Sequence, residues 1–108
     1  MKPPYTLPGQ TYCYTADGSR VCTGSMMGRS ASLPADPKLP CKLHLRRVPM
    51  SSCGCYDQGG AYWGSGTPLW CAWGSNDVET VSLFLRASRR SMARASVLFK
   101  LPSARFFR

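Results

Sequence analysis

A stretch of 108 residues with 44% hydrophobic content has room for one domain and one modest core, too little for two. Its 14 Lys+Arg against 5 Asp+Glu give a net charge of +9, a surplus that favours polyanionic partners such as nucleic acid, an acidic protein surface or anionic lipid, or else serves as a passive solubility surface. No run approaches the ~18 apolar residues of a membrane span.

The opening MKPPYTLPG has no apolar secretory core, so a cytosolic location is expected. In that compartment the six cysteines read as thiols or metal ligands and not as a disulfide framework. Pro3, Pro4 and Pro8 make residues 1–10 an extended arm. Residues 11–23 read as a β-hairpin turning at Asp17-Gly18, with Cys13 opposite Cys22. Residues 24–40 form a long loop, because Gly24, Gly28, Pro34, Pro37 and Pro40 forbid a helix or a central strand. Within it, Met26-Met27-Gly28-Arg29 offers an adaptable contact surface or a flap over the core.

CKLHLRRV over 41–48 reads as a strand. Cys41, Leu43 and Leu45 point to one side, and Lys42, His44 and Arg46 form a cationic stripe on the other, exposed side. The richest stretch follows. Residues 53–73 hold all three tryptophans, Tyr56 and Tyr62, and suggest a hairpin of Ala61-Tyr62-Trp63 with Leu69-Trp70-Cys71-Ala72-Trp73 around a Gly-containing loop. In the second strand, Trp70 and Ala72 share one face, and Leu69, Cys71 and Trp73 the other.

Residues 78–87 give the clearest strand, with Val81, Leu83 and Leu85 alternating with Thr80, Ser82, Phe84 and Arg86. Ser88 suits the N-cap of a helix running to about Lys100, with Met92, Ala95, Ser96 and Phe99 as its packed face. Arg90 and Arg94 lie on the other side of that helix, Pro102 stops it, and SARFFR returns as a short edge strand. The order predicts one α+β domain over 1–108: a mainly antiparallel sheet with an N-terminal hairpin and one C-terminal helix packed on a face.

Enzyme chemistry finds little support. The only histidine, His44, sits in a basic stripe with no carboxylate beside it in sequence. A Cys55–His44 nucleophile pair is the sole arrangement to weigh. Asp57, in Tyr56-Asp57-Gln58-Gly59-Gly60, is better suited to holding a turn through backbone N–H groups than to catalysis. Cys53-Gly54-Cys55 has the wrong spacing for a zinc knuckle, although Cys41, Cys71 and His44 are types able to complete a site. No catalytic residue, metal or cofactor is therefore expected. Polyanion binding is better supported, since no acidic residue follows Glu79 while six arginines and one lysine do. Arg46, Arg47, Arg86, Arg89, Arg90 and Arg94 would track phosphates, and Tyr62 and Trp63 would stack bases, with Trp70 and Trp73 as further candidates.

The run YDQGGAYWGSGTPLWCAW, with LHLRRVPM before it and RASRR and ARFFR after it, resembles a set of small, uncharacterised phage, prophage and plasmid proteins. Their pattern falls here on Tyr56, Asp57, Gly59, Gly60, Tyr62, Trp63, Gly64, Gly66, Pro68, Leu69 and Trp70, and TGSMMGR at 23–29 is similar to their upstream half. The resemblance implies a mobile-element origin and work in the host cytoplasm. By analogy the partner is host nucleic acid, a nucleoprotein complex or an acidic host protein surface. The alternative is a protein–protein module that inhibits a host defence complex. The sequence leaves the oligomeric state open.

Overall fold

The computed structural model describes residues 3–7, 32–52, 54–64 and 66–107. The expected hairpin at 11–23 and the Met26–Arg29 segment lie outside them. A 3-10 turn at Pro4–Thr6 precedes β1 (Cys41–Arg47), β2 (Leu69–Ser75), β3 (Thr80–Arg86), α1 (Arg90–Lys100) and β4 (Ala104–Phe106). The sheet runs β3-β2-β1-β4, with β2 antiparallel to both β1 and β3 and β4 parallel to β1. The fold is α+β, with a mostly antiparallel sheet whose first strand starts at Cys41. Among the described residues no helix is long and apolar enough to cross a membrane.

Strand alternation sorts the side chains onto two faces, and both faces are covered. Cys41, Leu43 and Leu45 from β1, Trp70 and Ala72 from β2, and Val81, Leu83 and Leu85 from β3 form one core with Ala93 and Val97 of α1 and Leu101 at its C-cap. Leu69, Cys71, Trp73 and Phe84 face the other way and form a second core with Tyr5, Val48, Ala61 and Trp63. β2 therefore buries its first six residues, the mark of a strand sandwiched between layers. Gly74 lies where β1 crosses closest: a Cβ there would collide with the Lys42 carbonyl and crowd Leu43.

Three local expectations are corrected. First, α1 turns a different stripe inward. Ala93, Val97 and Leu101 are buried, whereas Met92, Ala95, Ser96 and Phe99 are exposed, Phe99 to 86%. Small residues at 93 and 97 let the helix lie close to Leu83 and Leu45, which a Met or Phe there would prevent. The cap position is Arg89 and not Ser88, whose hydroxyl instead meets the Met92 sulfur at 3.0 Å.

Second, Ala61–Trp63 does not pair with β2, because both edges of β2 are occupied by β1 and β3. Residues 56–62 instead make their own tight turn, bridged at Tyr56 and Tyr62. Third, in the Lys42–His44–Arg46 stripe Lys42 and Arg46 are exposed as expected, but His44 is half-buried against Trp73.

Candidate functional site

Asp57 organises the layer over the second face. Its Oδ1 accepts the Gly59 N–H at 2.9 Å and the Ala61 N–H at 3.0 Å, and its Oδ2 accepts the Trp63 indole N–H at 3.0 Å. This is the turn-holding role its sequence context suggested, extended to an aromatic side chain. Trp63 is 1% exposed and packs on Phe84 with centroids 4.8 Å apart. It is core, so it offers no face to a ligand. Trp70 and Trp73 are buried as well, and the Trp70 indole N–H donates to the Ala87 carbonyl at 2.9 Å. Tyr62 is half-buried and engages Tyr56 edge-on at 5.1 Å.

Arg86 is also structural. Its guanidinium donates to the carbonyls of Thr67 and Trp63, both at 2.7 Å, and of Gly64 at 3.3 Å. Burial pushes its pKa below the usual guanidinium value, and the three carbonyls stand in for the lost water. It ties Trp63, Gly64 and Thr67 to the end of β3, and it borders a cleft with Thr67 and Pro68.

The remaining arginines sort differently. Arg89 is exposed at the helix cap. Arg46 and Arg47, at the end of β1, and Arg90 and Arg94, one helical turn apart on α1, surround one concave surface. It consists of two adjoining clefts of about 380 and 440 Å³. The first is lined by His44, Leu45, Arg46, Arg47, Arg90 and Phe107, and the second by Leu45, Arg90, Arg94, Phe106 and Phe107. No carboxylate is among these lining residues. Arg47 also borders a third cleft of about 660 Å³ whose walls include Val48, Met50 and Pro68. The groove exists because β4 is short. It pairs only with Cys41 to Leu43, which leaves the rest of that β1 edge beside the helix.

Aromatic rings line this groove, but not those of the 53–73 stretch. Phe107 stacks on His44 (4.3 Å, 17°), and His44 stacks in turn on Trp73 (5.1 Å, 28°). The Lys42 ammonium lies 4.7 Å from the Phe107 centroid, and the Arg94 guanidinium lies 5.0 Å from that of Phe106. Phe106, Phe107 and His44 were absent from the expected binding set. For the two phenylalanines the signal was the RFFR run at an edge strand, where alternation alone puts neighbouring rings on opposite faces.

Among the described residues lining the groove bordered by His44 there is neither a thiol nor a carboxylate side chain. Cys55, the candidate nucleophile, is half-buried in the segment leading to Asp57. The sheet puts Cys41 on the helix side and Cys71 and His44 on the other, so these three do not meet at one point. Burial and the nearby Glu79 carboxylate push the Cys41 thiol up, as suits a protonated core group.

No family model matches the chain, no curated protein is detectably similar in sequence, and no solved structure is detectably similar in fold.

Proposed function

We propose that this chain is a non-enzymatic basic binding protein of phage-like origin, acting in the host cytoplasm on nucleic acid or a nucleoprotein complex. The observation that carries this reading is the convergence of Arg46, Arg47, Arg90 and Arg94, from two elements far apart in sequence, on one groove with no carboxylate side chain among its described lining residues. Guanidinium groups hold phosphate oxygens through paired N–H donors, and low-dielectric walls of Leu45, Phe106 and Phe107 strengthen that attraction. The origin rests on the Tyr56–Trp70 motif, and the partner class on charge and shape.

Four phosphate contacts give a log–log salt slope between about −3 and −4. A labelled oligonucleotide titrated at ~50 and ~200 mM salt should lose roughly 50-fold to 150-fold in affinity. Binding that ignores salt, or no binding at the lower salt, would remove this reading.

A second reading has its own observation. Met92 (47% exposed) and Phe99 (86% exposed), with Ala95 and Ser96 between them, form an outward apolar stripe on α1. Such a stripe suits the groove of another protein, here a host defence complex that the chain would inhibit. On that reading Phe99→Asp abolishes inhibition of the host complex and leaves the oligonucleotide titration as it was. Inhibition that survives Phe99→Asp argues against it.

A further inference from the structure

We infer that the groove takes a single strand with its bases unpaired, and not a duplex; this rests on the nucleic-acid reading above. Three observations favour it.

The cations line clefts and do not form a ridge. Arg90 and Arg94 lie on the flank of α1 that meets the sheet edge, and each cleft has the size of a small-ligand site. Such a cleft admits one nucleotide unit at a time. A duplex is a rigid rod that must be met by a ridge or an inserted helix. The outward face of α1, the part able to enter a major groove, carries Met92, Ala95 and Phe99 around Ser96, so one hydroxyl is all that stripe offers for reading base edges.

Aromatic rings share the groove with the arginines. Phe107 is 37% exposed although His44 supports its ring at 4.3 Å. Base stacking on such a ring, beside cations that follow the backbone, is how sequence-tolerant single-strand sites work. Lys42 is a long, exposed side chain over Phe107. An entering base displaces its ammonium, which stays close enough to meet a phosphate.

The β1 edge supplies backbone groups. The Leu43 carbonyl accepts the Phe107 N–H at 2.8 Å, so the odd-numbered residues of β1 direct their backbone toward β4. β4 ends opposite Leu43, and no described residue pairs with Leu45 or Arg47 on that side. Leu45 lines both clefts. Its N–H and C=O are therefore placed to bond a Watson–Crick edge, which only an unpaired base exposes.

The test uses the full chain and three labelled 12-nucleotide probes at matched ~50 mM salt: a mixed-sequence single strand, its duplex, and an abasic strand of the same length. The single strand should bind about tenfold or more tighter than either of the others, the gain that one or two stacked bases give. Phe107→Ala should remove most of that advantage, and Phe107→Trp should restore it. Duplex or abasic affinity equal to that of the single strand would overturn the inference and leave phosphate binding intact. No binding by any probe would overturn both.

Discussion

Asp57→Ala is expected to destabilise the fold by about 4 kcal/mol, far more than a typical point substitution. Asp57 is 5% exposed and its carboxylate accepts from two backbone N–H groups and the Trp63 indole. Alanine strands the Ala61 N–H and the Trp63 indole N–H, at about 1–3 kcal/mol for each buried group left unsatisfied, while the Gly59 N–H keeps the Tyr5 carbonyl at 2.8 Å. Asp57→Asn keeps one oxygen acceptor but turns an NH₂ toward a donor on its other side, so about half the loss is expected.

Denaturant unfolding followed by tryptophan fluorescence measures both variants. Crossing Asp57→Asn with Trp63→Phe isolates the indole bond, whose coupling should be about 1–2 kcal/mol. An Asp57→Ala protein within about 0.5 kcal/mol of the parent would show that water replaces the carboxylate and that the loop layer is not organised by it. The consequence reaches the sheet, because this layer covers Cys71, Trp73 and Phe84 and holds β2 between two cores.

The double reversal Arg90→Glu/Arg94→Glu should weaken oligonucleotide binding by about two to three powers of ten at ~50 mM salt and cut the salt slope roughly in half. It removes two of the four groove cations and puts two anions in their place. Folding should survive, since both positions are exposed and a carboxylate at the first helical residue complements the helix dipole. A control of equal charge change, Lys38→Glu/Lys100→Glu, alters two exposed cations outside the groove. It should cost only the few-fold effect of screened, distant charge. Equal losses for the two doubles would show that net charge alone holds the ligand and that the groove is no site.

Much of this architecture is legible without coordinates. Alternation in 41–47, 69–75 and 80–86 sorts nearly every strand residue onto its correct face, because a strand's side chains have a fixed period of two and one face of each strand is apolar. The terminal edge strand and the turn-holding role of Asp57 are readable for equally local reasons: proline stops a helix, and a short carboxylate bonds nearby N–H groups.

Properties that depend on who the neighbour is are not legible. In α1, Met92-Ala95-Ser96-Phe99 and Ala93-Val97-Leu101 are both stripes at helical spacing, and the larger one attracts the eye. The smaller one is buried, because the helix must lie close to a sheet face already filled by Leu43, Leu45, Leu83 and Trp70. The Trp-rich run reads equally well as a stacking platform or as a core. It became core because the sheet has a second face to cover and Asp57 fastens Trp63 there.

Arg86 and Arg94 are alike as letters. One is bound by three carbonyls, while the other stands over Phe106 at the groove. By itself, then, the sequence determined the α+β class, the strand faces and the excess of positive charge, all consequences of local periodicity and composition. Only the tertiary structure decided which arginines converge and which rings accompany them. That depends on a short β4 stopping at Leu43 beside a helix that arrives from the far edge of the sheet, and long-range packing of this kind leaves no local pattern in the chain.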